Sequence, residues 1–269
     1  MPLDNEKVLS GHIKDLARRA YENNFITHTN FLSASELAQI DAICKRDGLY
    51  TGEKEIQGSK FCMYGAVEDP DRMVMAFLPE YLDEESFILQ EKENADIVKC
   101  ICIAPVNARF ADELTHRDFL GSLMNLQIER DRIGDIRTDH TRAFVMVTGD
   151  VSELICSELV RIKHTTVRCS EVPVSECDIM PEFKEINGTV ASERLDAILA
   201  YVYKLSRNES SRLVEEGAVS VDGHIAISGG YDLKVGARVS VRGHGKFIYD
   251  GVKSVTKKNR MLIAVRVYI

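Results

Sequence analysis

Tryptophan is absent from the 269 residues, proline occurs six times, and nowhere do eighteen apolar residues run together. The last absence excludes a helical membrane span. The first twenty residues mix Asp4, Glu6, Lys7 and Asp15 with apolar positions, so the basic start and apolar core of a secretory signal are missing. Catalytic signatures are missing as well. There is no Gly-x-Gly-x-x-Gly loop, P-loop, nucleophile elbow or metal-binding helix. Gly243-His244-Gly245 follows a strand-like run but opens no helix. Cys100-x-Cys102 would point two thiols to one side of a strand, but no second Cys or His pair stands at zinc spacing, and the pair reads as packing. Seven scattered cysteines, an odd number, suit reduced thiols in a cytosol better than a disulfide framework. No metal or cofactor is expected.

What is present is an ordinary globular composition, 45% apolar and 28% charged, in a chain long enough for two or three compact units. The net charge of −8 hides a split. Residues 190–269 hold 13 basic and 8 acidic side chains, which leaves 21 basic and 34 acidic in the other 189. A basic end can attract phosphate while an acidic body limits indiscriminate binding.

Helical spacing of Val8, Ile13, Leu16, Ala17 and Ala20 predicts an amphipathic helix over 4–23. Ser33 and Glu36 form a capping-box pattern opening a second helix, which Asp47-Gly48 ends. Turn signals follow at Gly52, Gly58, Gly65 and Asp69-Pro70-Asp71, and Met73–Leu78 reads as a strand. Residues 1–80 are therefore expected as a mostly helical unit with some strand. Over 81–174 the order is β-α-β-β-α-β: strand 97–106, helix 115–126, strands 133–138 and 142–148, helix 152–162, strand 165–172. This is the ferredoxin-like, RRM-like arrangement. RRM domains stack bases on aromatics of the central strands, and here those strands offer only Phe144, so charge and shape would carry any RNA contact. Residues 175–188 read as a linker, and 189–269 as the last unit; no repeats or low-complexity tracts occur. The predicted class is α+β.

The most specific pattern lies in 192–242. Ser192 is a candidate cap for a short helix burying Leu195, Ile198, Leu199 and Val202. Ser206 and Glu209 form a capping box for a second helix, which Gly217 ends. Val219-Ser220-Val221, Asp222-Gly223 and His224–Ile227 read as a hairpin with a type I′ turn. The run Arg194-Leu195-Asp196, then Ser206-Arg207-Asn208-Glu209, Arg212 and Gly217 to Gly223, resembles the S4 domain of ribosomal proteins, tyrosyl-tRNA synthetases and RNA-modifying enzymes. The resemblance places RNA-contacting roles on Arg194, Ser206, Arg207 and Arg212, with Asp196 orienting its neighbours. Lys204, Arg242 and Lys246 add basic positions beside them. Arginine suits phosphate because its planar fork donates two parallel hydrogen bonds. Asn208, Ser210, Ser211 and Asp222 depart from the more basic or Asn-bearing pattern of many relatives, which predicts moderate affinity.

Residues 112–136, the run from Asp112 through His116-Arg117-Asp118 to Arg130, Arg132 and Ile136, resemble the YlmH family of bacterial S4-domain proteins. So do the C-terminal position of the S4 pattern and Arg242–Phe247 after it. The resemblance implies a monomeric, non-enzymatic protein of the bacterial cytoplasm. It would grip an rRNA hairpin and tRNA on the large ribosomal subunit, in quality control of stalled peptidyl-tRNA. His116, Arg117, Arg130 and Arg132 are possible contacts of the central domain. Against an enzymatic reading of His116-Arg117-Asp118 stands a plainer one: Thr115 caps a helix and Asp118 occupies its third position. Arg130 and Arg132 either hold a partner or pair with Asp131 and Asp135. Two further readings are carried: an RNA-modifying enzyme with an S4 appendage, and an adaptor linked to cell division whose acidic front half docks a protein.

Overall fold

The computed structural model describes residues 2–257 and 259–268. Its contacts divide the chain into two compact units, Met1–Ser33 with Ile40–Met180 and Ala34–Gln39 with Pro181–Ile269. The class is α+β, as the alternating patterns predicted.

In the first unit, helix α1 (Pro2–Asn23) buries Ile13, Leu16, Ala17 and Ala20, residues three or four apart that share one face. That stripe, with Ile40 and Cys44 of helix α2 (Ala34–Arg46), packs on Met75 and Phe77 of strand Arg72–Leu78. Alternate residues of the same strand, Val74, Ala76 and Leu78, enter a different core on the other face. The sheet runs Thr27–His28, Arg72–Leu78, Ser59–Tyr64, Glu55–Ile56, Tyr50–Gly52, with Leu32–Ser33 also on Arg72–Leu78. Strands of two or three residues are too short to show a period of two in sequence, which is why only Met73–Leu78 was legible there.

Helix α3 (Glu84–Asn94) is capped by the Asp83 carboxylate, which accepts the Ser86 amide at 2.8 Å. The buried Glu91 carboxylate accepts the Ile97 and Val98 amides and ties the helix to the next strand. That strand, Val98–Pro105, lies inside an antiparallel sheet of order Arg161–Ile162, Thr165–Val172, Val98–Pro105, Ala143–Thr148, Ile133–Thr138. Helices α4 (His116–Asn125) and α5 (Ser152–Glu158) cover one face through Phe119, Leu123 and Ile155. This is the ferredoxin-like plait. Its second face is covered too: Val98, Cys100, Phe144 and Met146 pack with Phe31, Cys62, Tyr64 and Phe87. Phe144 is 2% exposed, so the one aromatic considered for base stacking is core. Cys100 and Cys102 share this inner face, and burial pushes the Cys100 thiol up to about 12.

The two sheets are joined by polar contacts. The Asp135 carboxylate accepts the amides of Asp71 and Arg72 at 3.0 and 3.1 Å and pairs with Arg137 at 3.0 Å. The Phe31 amide donates to the Asp131 carbonyl at 2.7 Å, and Gly134 leaves room for the Phe31 ring.

In the second unit, six antiparallel strands run Phe183–Val190, Met261–Tyr268, Gly245–Val255, Arg238–Val241, Val219–Val221, His224–Ile225. Helices α6 (Leu195–Val202) and α7 (Arg207–Glu215) lie on one face, with Leu195, Ile198, Leu199 and Val214 against Val219, Val239, Phe247 and Val265.

Four local expectations are corrected. The helix expected over 152–162 ends at Glu158, and after it Arg161–Ile162 pairs with Thr165–Thr166 around Lys163 at φ 50°. Leu159 and Ile162 are core residues without being helical, so the apolar spacing misled. The segment read as a linker, 175–188, runs into strand Phe183–Val190, whose partner Met261–Tyr268 lies some seventy residues away. The hairpin's return strand is only His224–Ile225. Ser192 does not cap α6: Arg194 is the N-cap, and the carbonyls of Tyr231 and Gly229 take the Leu195 and Asp196 amides at 2.8 and 3.0 Å.

Candidate nucleic-acid interface

The centre of the S4 pattern is a shared carboxylate. Asp196 sits in the first turn of α6 with its side chain 7% exposed. Arg194 donates to it through Nε and Nη2, at 3.3 and 3.1 Å, and Arg207 Nη2 lies 3.7 Å from Oδ1, the oxygen that also accepts Arg194 Nε. The carboxylate holds Arg194 further into its protonated range by hydrogen bond and charge. Both guanidinium groups stay about half exposed, so each keeps donors for an incoming acceptor. Two guanidinium groups share one buried carboxylate, which holds them in place, and Asp232 lies on a backbone bridge to Arg194 and adds a second acidic group beside it. Arg207 is also the first residue of α7, where unpaired amides and the helix dipole favour an anion.

Ser206 caps α7: its hydroxyl accepts the Glu209 amide at 3.2 Å, while Glu209 accepts the Ser206 amide at 2.8 Å. The bond from the Ser206 amide holds the Glu209 carboxyl below its usual range. Arg212 pairs with Glu216 at 3.4 Å on an open helix face. Lys204 is exposed in the α6–α7 turn at φ 54°. Arg242 donates to the Gly217 carbonyl at 3.4 Å, and Lys246 stands opposite Ser240 on the ladder. The hairpin tip between them packs on Tyr203, whose ring centroid lies 5.3 Å from that of His244. The fold thus sets a pinned pair, Arg194 and Arg207, apart from a looser set around the hairpin.

The central candidates are not gathered with one another. His116 and Arg117 open α4, whereas Arg130 and Arg132 follow its far end. Asp118 is committed to structure: it closes the capping box with Thr115 at 2.7 Å and pairs with Lys163 at 2.7 Å. The Lys163 bond, then the Thr115 amide, bring its carboxyl down to about 2. Arg130 donates to the Ile133 carbonyl, and Arg132 pairs with Asp150 at 2.7 Å rather than with Asp131 or Asp135. Beside Arg132 lies a mixed-charge depression with His28, Lys99 and Asp150. No cluster of metal-ligating side chains occurs among the described residues, and no helix is long and apolar enough to cross a membrane.

Sequence reasoning missed the loop after the hairpin. Ile227 is 98% exposed and Tyr231 44%, on the segment that caps α6. Their apolar character was visible, but Ile225-Ala226-Ile227 looked like strand.

Residues 98–176 match the family model for the RNA-binding domain in YlmH, and residues 193–239 match the S4 domain. The chain is 28% identical over 238 residues to the ribosome-associated protein quality control protein P2 of Bacillus subtilis (strain 168), covering 86% of this chain and 83% of that protein. A solved structure, the cell division protein ylmH from Streptococcus pneumoniae, aligns at TM-score 0.44 and 20% identity, over 65% of this chain and 91% of that one. With both domain models in this order and a relative aligned along most of its length, the chain carries a YlmH-type RNA-binding domain followed by an S4 domain and is similar to YlmH-family proteins along most of its length.

Proposed function

We propose that this protein binds structured RNA on the large ribosomal subunit, an rRNA hairpin together with tRNA, and takes part in quality control of stalled peptidyl-tRNA. The carrying observation is the Arg194–Asp196–Arg207 arrangement, two forks held half exposed at the start of α6 and α7. Lys204, Ser206, Arg212, Arg242 and Lys246 of the same unit are read as further contacts. The name of the Bacillus subtilis relative supports the ribosomal setting. In this reading the chain is a monomer of the bacterial cytoplasm that binds and positions, without catalysing a reaction. The commitment of Asp118 to a helix cap and to Lys163 supports this against an active site at His116.

The test is crosslinking of the tagged protein in cells with sequencing of the attached RNA, wild type beside Arg194→Ala/Arg207→Ala. Reads concentrated on a large-subunit rRNA hairpin and on tRNA, and lost in the double variant, are expected. Reads piled on one modified nucleotide would favour the RNA-modifying enzyme, and none above background would sink the RNA reading.

A further inference from the structure

The loop from Val221 to Tyr231 encloses a concavity of about 600 Å³ with mainly apolar walls. Ile225, Ile227 and Tyr231 are exposed along it, at 62%, 98% and 44%. Single exposed apolar side chains are ordinary, but several side by side around one hollow call for an occupant. The hollow is of the size that binds small organic groups.

Its position says which occupant. The same loop caps α6 through the Gly229 and Tyr231 carbonyls, and it rests on the pinned cations: a Cβ built on Gly230 would lie 3.4 Å from Arg194 Nη2. The apolar hollow therefore adjoins Arg194, one member of the pair. Asp222, the acidic residue on its rim, is committed to the Arg238 amide at 2.8 Å. A ligand that presents an anionic backbone and a flat, weakly polar face within one residue of it fits both halves. An unstacked nucleotide is such a ligand, and proteins read unpaired RNA bases by stacking them on aromatic rings.

We propose that the hollow lined by Val221, Ile225, Ile227 and Tyr231 receives one unpaired nucleobase of the RNA whose phosphates Arg194 and Arg207 hold, with the Tyr231 ring as its stacking surface. The inference rests on the RNA-binding reading above and adds a preference for structured RNA with an extruded base over an unbroken duplex. The plait, whose sheet face is covered, does not compete for this role.

The probes are two RNA hairpins differing only by a single-nucleotide bulge carrying 2-aminopurine, titrated with the full-length chain at several salt concentrations. The wild type should favour the bulged stem and quench the probe. Tyr231→Ala should lose about fivefold or more on the bulged stem, as expected for one lost base stack, less than twofold on the unbroken stem, and keep the salt slope. Tyr231→Phe, which keeps the ring, should match the wild type in both affinity and quenching. Equal losses on both stems, no loss on either, or a loss in Tyr231→Phe as large as in Tyr231→Ala would each overturn the pocket. If both stems bind alike and only Arg194→Ala/Arg207→Ala abolishes binding, the pocket falls and the RNA reading stands. If the wild type binds neither stem, both fall.

Discussion

Two guanidinium groups sharing one buried carboxylate differ from two lysines on a helix, because the anion fixes where the cations point. Arg194 uses two donors at once on Asp196, which an ammonium cannot reproduce. Arg194→Lys should therefore keep the salt dependence of RNA binding while lowering affinity severalfold. Arg194→Ala or Arg207→Ala should instead flatten the dependence by about one unit or less each. A lysine variant indistinguishable from wild type in salt-series titrations would mean that charge, not geometry, is what RNA reads. Asp118 makes a separate prediction. Its folded carboxyl titrates at about 2 against an ordinary 3.8, so the stability it contributes is present above pH 4 and is lost as pH falls toward 2. Asp118→Asn should flatten that acid limb in urea midpoints measured against pH and leave RNA binding unchanged. A loss of RNA binding at neutral pH in this variant would revive the enzymatic reading of His116-Arg117-Asp118.

At the scale of elements, the joint between the two sheets of the first unit depends on a few residues of strand Ile133–Thr138. Asp135 is buried, and burial pushes its carboxyl up although two amides and Arg137 donate to or pair with it. Asp135→Ala removes the acceptor for two backbone amides and the partner of a cation, and should cost about 3 kcal/mol in chemical denaturation. One residue earlier, a methyl group at Gly134 would meet the Phe31 ring at 2.6 Å. Gly134→Ala should destabilise by about 1–3 kcal/mol through overpacking. Wild-type denaturation midpoints in both variants would show that this joint contributes little. The helix starts differ in how they are closed. α4 and α7 carry their capping boxes in their own sequence, whereas α6 borrows carbonyls from a loop more than thirty residues downstream.

For the whole molecule, the charge split and the burial pattern agree on where RNA can be met. The basic excess lies in residues 190–269, and the sheet face of the plait is sealed by Phe31, Cys62, Tyr64 and Phe87. Phe144→Leu should accordingly lower stability by about 1–2 kcal/mol, the cost of a reshaped core, with no change in RNA affinity for the folded protein. Selective loss of RNA binding in that variant would mean that the sheet face opens in solution.

The amino-acid sequence by itself determined the elements whose signals are local. The period of 3.6 marked α1 and α6, the Ser206–Glu209 box started α7, Gly217 at φ 63° ended it, and Asp222-Gly223 at φ 49° and 82° made the hairpin turn. Such caps and turns depend on neighbours within a few positions, whereas the roles given to Arg194, Ser206, Arg207 and Arg212 came from the resemblance of the whole run to S4 domains. Only the tertiary structure decided what depends on distant partners. Strand Phe183–Val190 exists because Met261–Tyr268 offers it a ladder, and Phe144 is core because a second sheet covers it. The loop holding Ile227 and Tyr231 reached the basic pair because the start of α6 needed acceptors its own sequence lacked. Pairing, burial and adjacency are set by which surfaces meet, and that information is spread over the chain rather than written at any one position.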